Sequence, residues 1–404
     1  MKVQDMPYER VDFAQVEAEM KELMKELEEA ESGEAQFAVH QKYYALTDRV
    51  STLMTIAQIR FDGDTSDEFY DKEHQYYDEK GPLYSNLVLE YQKKLYASPY
   101  RAYLEKKIGP VAFKNMELAQ KSMNEKIIPL MQEENSLTME YDKLIAKARI
   151  AFDGKELNLS LLRPYLISPD RTVRAKAWER MSAFFEENAD KLDEIFDRLV
   201  KNRTRQAKEM GYENYLELGY FRMNRNCYGR EEVEAFRSQI KEYFVPFAER
   251  LHEQRRKRLG LDRLSFIDEQ VYFAQGNPAP TGSPEEILKA GQRMYEELSP
   301  ETKEFFDFMM ENQLFDVLGR KNKRAGGYMT YLPLYGAPFI FANFNGTSGD
   351  EEVITHEAGH AFAAYMARDI VPLENQSPTL EACEIHSMSM EFFAWAWAEG
   401  FFGK

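Results

Sequence analysis

The sequence predicts a mainly α-helical protein of two lobes, with a small β-sheet beside one of its helices. Apolar residues recur every three or four positions over most of the 404 residues, which is the spacing of amphipathic helices. Several of these stretches begin at Ser or Asp, residues that cap the first turn of a helix. Only the stretch between residues 327 and 343 has the composition of strands bounded by Gly and Pro. Because a chain of this length exceeds the usual size of one hydrophobic core, two lobes are expected.

The first 110 residues are predicted to form long antiparallel helices joined by short turns. The apolar spacing predicts helices at residues 13–31, 36–61 and 68–96. Gly81 and Pro82 are expected to interrupt the third of these helices, whose tyrosines are predicted to be buried. We assign residues 1–110 to an N-terminal helical-hairpin region and residues 111–404 to a second helical region.

The second region is also predicted to be helical over most of its length. Its predicted helices include residues 113–124, 127–150, 192–210, 213–220, 231–259 and 304–314. Asp170 is the predicted cap of another helix that starts near Arg171, and we interpret Arg171 and Arg174 as partners in structural ion pairs. Ser283 and Ser299 each precede a proline, which is typical of a helix start.

Two strands are predicted at residues 327–331 and 339–343, immediately before a further helix. Their sheet is expected to edge a cleft beside that helix. An unpaired edge strand can bind an extended peptide through backbone hydrogen bonds, and we interpret these strands in that way. Two ordinary packing strands are the alternative. Ser348 or Asp350 is predicted to cap the helix that follows.

That helix carries the pattern His356-Glu357-x-x-His360 among apolar residues with helical spacing. Residues four apart lie on one face of a helix, so both histidines can direct a ring nitrogen at one metal ion. Glu357 is predicted to be the general base that takes a proton from water. The alternative is a surface helix with two solvated histidines. The pattern predicts a site for one zinc ion per chain.

Catalytic zinc needs a third protein ligand and one open position. Glu384, on another predicted helix, is our choice for this ligand, although Glu381 and Glu391 compete with it. His386 is a further candidate. However, positions 384 and 386 point to nearly opposite sides of a helix, so these two residues cannot easily bind the same ion.

Glu352 and Glu391 are candidates for side chains that contact and orient a metal-binding residue without binding the metal ion themselves. Glu352 lies one turn before His356 on the same face, where it can accept the second ring hydrogen. A carboxylate that complements the helix dipole is the alternative. Glu391 lies two turns after Glu384, and for it the alternative is a solvated carboxylate.

The order of these motifs resembles that of oligoendopeptidase F and its thimet-oligopeptidase relatives. The resemblance lies in Gly326-Gly327-Tyr328, residues 338–347, the His-Glu-x-x-His motif, Glu384, and residues 152–155 and 168–174. It implies a mostly helical zinc endopeptidase that cuts short peptides inside a deep channel. Zinc would lie on the two motif histidines and Glu384, with Glu357 as general base. The candidate substrate-binding residues are Gly326, Gly327, Tyr328, Phe341, Ala342 and Asn343.

Members of that family continue past the third ligand, and their later segment supplies a histidine and tyrosines that grip the substrate and stabilise the oxyanion. This sequence ends at Lys404, directly after the helix with Glu384. By this resemblance, the sequence is expected to be either a fragment of a longer protein or a chain without those C-terminal groups. Loss of one oxyanion donor commonly costs about a hundredfold or more in rate.

Composition restricts the partners and the compartment. A net charge of −17 argues against nucleic acid and anionic membrane surfaces. The basic cluster at residues 252–258 is predicted to be a solvated helix face. Two cysteines are too few for a disulfide framework, and no apolar stretch is long enough to span a membrane. We expect a cytoplasmic protein whose partners are short peptides.

Two other functions are compatible with the sequence. One is a non-catalytic helical scaffold that binds peptides and has a structural or vestigial metal site. The other is a metallohydrolase for a different acyl or amide substrate, which would use the same metal ligands. A change of Glu357 to Gln separates an enzyme from a scaffold, because only an enzyme needs that carboxylate for turnover.

Overall fold

The computed structural model describes residues 2–403 and confirms a mainly α-helical fold with small sheets. The N-terminal helices are α1 (Phe13–Glu29), α2 (Gly33–Gly63), α3 (Glu68–Tyr96), α4 (Arg101–Ile108), α5 (Pro110–Ser122) and α6 (Ile128–Ala146). Their apolar faces meet in a first core that contains Met20, Tyr91 and Leu104. No helix among the described residues is long and apolar enough to cross a bilayer.

The predicted interruption of the third helix at Gly81 and Pro82 is wrong, because α3 continues through both residues. Proline removes one backbone hydrogen bond from a helix and crowds the preceding turn. Here α3 packs against α1, α2, α5 and α6, and Pro82 itself is buried. The packing of a long helix against four others compensates for the local defect.

A small hairpin replaces the end of the helix that was predicted for residues 127–150. Its strands are β1 (Ile150–Phe152) and β2 (Lys155–Leu157), which pair antiparallel. Asp153 and Gly154 between them have φ values of 51° and 71°. Asp-Gly is a favoured pair for a two-residue hairpin turn in which both residues have positive φ. The Asp-Gly signal for this hairpin was therefore present in the sequence, directly after the helix predicted for residues 127–150.

The middle of the chain is helical. Its helices are α7 (Leu159–Leu166), α8 (Arg171–Glu187), α9 (Ala189–Glu209), α10 (Tyr215–Arg222), α11 (Arg230–Gln239) and α12 (Val245–Arg258), the last two joined by a π-helical turn at Ile240–Phe244. The Asp170 cap is confirmed, since its carboxylate accepts from the Thr172 amide at 2.8 Å. Arg171 and Arg174 are ion-paired with the buried Asp268, as predicted, at 2.9 and 2.7 Å. Burial opposes its ionisation, but hydrogen bonds from these arginines hold the pKa of Asp268 well below its usual value.

The last part of the chain contains the three-stranded sheet and the helix with the His-Glu-x-x-His pattern. Its elements are α13 (Pro284–Leu298), α14 (Pro300–Glu311), β3 (Phe315–Leu318), β4 (Tyr328–Leu332), β5 (Ala337–Phe344), α15 (Gly349–Ala367), α16 (Cys383–Ala394) and α17 (Ala398–Phe402). The strand order is β3-β5-β4, with β3 parallel and β4 antiparallel to β5. The two predicted strands are confirmed as β4 and β5, and β3 was not predicted.

A second core holds α15 against this sheet. It contains Ile354, Ala358 and Ala361 from α15 and Phe339 and Phe341 from β5, all 0% or 1% exposed. Because Ile354, Ala358 and Ala361 recur at helical spacing on α15, they fix which face of the helix is buried. The remaining face is left for the polar residues of the motif.

The start of α15 differs from the prediction. Ser348 occupies the N-cap position, but its side chain makes no capping hydrogen bond. Asp350 instead turns back, and its carboxylate accepts from the Asn345 and Gly346 amides at 2.9 and 2.8 Å. It therefore closes the turn between β5 and α15 rather than capping the helix.

Candidate metal centre

The two histidines of the motif lie on one face of α15. Their ring centroids are 5.0 Å apart, and both side chains are partly exposed toward open space beside the helix. Burial lowers the pKa of His360, which favours the neutral imidazole that binds metal ions. The helix thus presents two ring nitrogens in the same direction, as the spacing of the motif requires.

Glu384 reaches this pair from α16. Its Oε2 atom lies 3.3 Å from His356 Nε2 and 3.6 Å from His360 Nε2. One ligand atom from each of the three residues lies within 4.8 Å of the other two. Two imidazole nitrogens and one carboxylate oxygen form a donor set that zinc enzymes use, so the residues present fit a metal ion.

Ser387, one turn after Glu384, helps to fix the carboxylate. Its hydroxyl donates to Glu384 Oε2 at 2.9 Å. Burial disfavours the charged form, but this hydrogen bond and the two nearby imidazoles keep the pKa of Glu384 below its usual value. The carboxylate is therefore ionised near neutral pH, the state in which it can bind a cation.

Gly359 allows α16 to approach α15 closely at the site. A Cβ atom at this position would lie 2.7 Å from Ser387 Cα and 2.8 Å from the His386 carbonyl oxygen. Both neighbours belong to the backbone of α16 and cannot move aside as a side-chain tip can. The small residue between the two histidines thus sets the distance between the helices that carry the candidate ligands.

We expect Gly359→Ala to weaken metal binding by tenfold or more, about 1.4 kcal/mol, because the added methyl group pushes Glu384 away from the histidines. Titration with zinc against a competing chelator measures the change. Gly81→Ala is the matched control, since nothing lies within 4 Å of a Cβ at that helical position. Equal zinc affinity in both variants would contradict this role for Gly359.

Glu391 lies two turns after Glu384 on α16, next to His356. Its Oε1 atom is 2.6 Å from His356 Nδ1, so the carboxylate accepts a hydrogen bond from the ring. This contact leaves Nε2 of His356 free to face Glu384. Glu352, the other candidate for this contact, is exposed, and no hydrogen bond joins it to His356 among the described residues.

The remaining candidates for the third ligand lie elsewhere. Glu381 is ion-paired with Arg225 at 2.7 Å and also accepts from the Tyr228 hydroxyl. His386 is exposed on α16 and lines a cavity of about 550 Å³ next to His360. The packing therefore brings Glu384 to the two histidines and leaves these two residues outside the cluster.

Glu357 faces a cavity of about 520 Å³, together with His356 and Glu391. Burial raises the pKa of Glu357, the positive charge of a protonated His356 lowers it, and the nearby Glu384 raises it further, so the net change is upward. A carboxylate with a raised pKa accepts a proton more readily than an exposed one.

The candidate substrate-binding residues divide into two groups. Gly326, Gly327 and Asn343 line the cavity that Glu357 faces. The side chains of Phe341 and Ala342 are 0% exposed in the centre of the sheet, so they support the cavity wall from behind. Tyr328, which lines neither of the two cavities beside the motif, stacks on Phe341 with ring centroids 4.9 Å apart.

Two family models match the sequence around this site and before it. The Peptidase M3 N-terminal domain matches residues 3–123, and Peptidase family M3 matches residues 165–399. The second match covers more than half of the chain and includes all three residues of the candidate metal site. The chain belongs to peptidase family M3.

Solved structures agree with this assignment. The M3 peptidase is similar to a crystal structure described as oligoendopeptidase F, with a TM-score of 0.98 and 45% identity, over 100% of this chain and 71% of that chain. PZ peptidase A with an inhibitor has the same TM-score and identity, over 99% and 71%. An oligoendopeptidase F from Bacillus anthracis has a TM-score of 0.98 and 40% identity, over 100% and 74%. A search of curated protein sequences gave no significant match.

Sequence reasoning missed the residues by which helix α2 of this M3 peptidase contacts segments next to the site. Glu374 lies in the segment between α15 and α16, where its carboxylate contacts His40 Nε2 at 2.7 Å and accepts from the Tyr44 hydroxyl at 2.5 Å. His40 is 0% exposed within α2. Asp62, also on α2 and 0% exposed, accepts from the Tyr328 hydroxyl at 2.8 Å. The available signal was a polar residue at a predicted buried position of a helix, which needs a partner from elsewhere.

Proposed function

We propose that this chain is a zinc-dependent endopeptidase that hydrolyses peptide bonds in short, unstructured peptides. One observation carries the proposal. His356, His360 and Glu384 converge from two helices, and Glu357 faces the cavity beside them. This arrangement supports the proposal, because it would provide a metal site and a basic carboxylate next to open space large enough for a ligand.

His356 and His360 would hold the zinc ion through their Nε2 atoms, and Glu384 through a carboxylate oxygen. A zinc ion bound there supplies Lewis-acid chemistry, which polarises the scissile carbonyl and lowers the pKa of water. Glu391 would keep the ring of His356 in place by accepting its Nδ1 hydrogen, a contact that also increases the basicity of Nε2.

Glu357 would act as general base and then as general acid. Its carboxylate would take the proton from the attacking water and later deliver it to the leaving amine. The raised pKa of this carboxyl supports both transfers, because a pKa shifted toward neutral pH lets the group accept a proton in one step and release it in the next. Gly327 lies close to β5, since a Cβ there would be 3.2 Å from the Phe341 carbonyl oxygen and 3.9 Å from Glu357 Oε1.

A peptide substrate would lie along the wall formed by Gly326, Gly327 and Asn343. Asn343 Nδ2 donates to the Gly326 carbonyl at 2.8 Å, which holds the glycine segment in position. The adjoining strand β4 lies at an edge of the sheet, where backbone hydrogen bonding gives affinity with little sequence preference.

Cleavage of peptide mixtures tests this proposal. The zinc-loaded protein is incubated with unstructured peptides of several lengths, and the products are identified by mass spectrometry. We expect cleavage at internal bonds, and no cleavage when zinc is removed with a chelator. Release of single terminal residues would contradict an endopeptidase, and a protein that binds zinc and peptides without cleaving them would favour the scaffold alternative.

A further inference from the structure

The charged residues that line the cavity beside Glu357 are mostly acidic. Among the described residues, its lining includes the carboxylates of Asp350, Glu352, Glu357 and Glu391, and a single Lys or Arg side chain, Arg163. A volume of about 520 Å³ is within the usual range of ligand pockets. Among the side chains of this lining, the guanidinium of Arg163 is the one that attracts an anionic group, whereas the carboxylates repel it.

Arg163 stands on α7, which supplies none of the candidate metal ligands. The helix is firmly placed, because Leu162 is 0% exposed and the Asn158 side chain caps the first turn by accepting from the Leu161 amide at 2.9 Å. Asn345 Nδ2 donates to the Ser160 carbonyl at 3.1 Å and so joins α7 to the turn before α15. The backbone that carries Arg163 is therefore fixed relative to the metal centre.

The guanidinium of Arg163 makes no hydrogen bond or ion pair within residues 2–403. Its charge acts on Asp350, but that carboxylate is buried and already accepts from two backbone amides. The next two arginines along the chain, Arg171 and Arg174, are both paired with Asp268. Arg163 thus differs from them in having its planar set of donors free.

We propose that Arg163 forms a carboxylate-binding subsite of the peptide cleft, which holds either the C-terminal carboxylate or an acidic side chain of the substrate. The proposal rests on the proposed peptidase function. Guanidinium groups bind carboxylates through two parallel hydrogen bonds, which fix orientation as well as position. Apart from the proposed zinc ion, the charged side chains of the cavity other than Arg163 are carboxylates, so this contact sets which bond of the peptide lies beside Glu357.

Binding of matched peptides tests the subsite. The zinc-loaded Glu357→Gln protein is used so that peptides bind without turnover, and fluorescence anisotropy gives Kd for one sequence as the C-terminal acid and as the amide. Amide peptides with Asp at successive positions test the side-chain source. We expect one carboxylate-bearing form to bind about tenfold more tightly than the plain amide, and Arg163→Gln to abolish the difference without changing the affinity of the amide.

Arg180→Gln is the matched control, an exposed arginine on α8 away from the cavity, and should retain the preference. If the Glu357→Gln protein with Arg163 intact binds acid, amide and Asp-containing peptides equally, the subsite is refuted while the peptidase proposal stands. An equal loss for acid and amide in Arg163→Gln would also refute it. If no peptide binds to any variant, the proposed function itself fails, and this inference fails with it.

Discussion

Replacing Glu357 with Gln is expected to lower peptide cleavage by about a hundredfold or more while leaving zinc binding intact. The amide keeps the size and shape of the carboxylate, but it cannot accept the proton of the attacking water. Glu357 is not one of the three residues of the metal cluster, so the ion should remain. The measurement is the initial rate of cleavage of an internally quenched peptide, with metal content determined on the same samples.

Glu179→Gln serves as the control for this variant, because it makes the same chemical change at an exposed position of α8. It should retain the parent rate. Cleavage at the parent rate by Glu357→Gln would remove this residue from the mechanism. A loss of zinc together with activity would show that Glu357 supports the metal site instead of moving a proton.

Removing a candidate ligand is expected to have the second large effect. The dialysed protein should contain about one zinc ion per chain, and His356→Ala and Glu384→Ala should each lose most of it. Each variant would leave two of the three candidate ligands, and the lost contact would be a direct bond to the metal ion. Metal analysis by mass spectrometry, combined with protein concentration, gives the ratio.

Glu381→Ala and His386→Ala are informative controls, because both residues competed with Glu384 in the sequence and both lie outside the cluster. We expect both variants to keep the zinc of the parent protein. Zinc retained in Glu384→Ala but lost in Glu381→Ala would move the third ligand to Glu381. Absence of zinc from the parent protein, even after zinc is supplied, would favour the scaffold alternative.

Buried polar side chains of the N-terminal helix α2 hold two segments that lie next to the candidate metal site. His40 and Tyr44 on α2 hold Glu374 in the connection between α15 and α16, and Asp62 at the end of α2 holds Tyr328 of β4. The site is therefore supported by a part of the chain that supplies none of its candidate ligands. Buried polar contacts of this kind specify one arrangement, since each group is costly to leave without its partner.

Much of this molecule was determined by the sequence alone. The helical spacing predicted α1 to α3 and the later helices, and Asp170, Ser283 and Ser299 were identified as caps that the structure confirms. The His-Glu-x-x-His motif and the strands before it led to the M3 family. These features depend on residues within a few positions of one another, where spacing and local hydrogen bonds decide the outcome.

Only the tertiary structure decided which distant groups meet. It placed Glu384 beside the two histidines and paired Glu381 with Arg225, although both glutamates lie on the same stretch of sequence. It gave the Nδ1 contact of His356 to Glu391, and it brought Arg163 from α7 into the cavity of Glu357. Such contacts depend on how closely whole helices pack, and here that distance depends on the missing side chain of Gly359, which local spacing does not reveal.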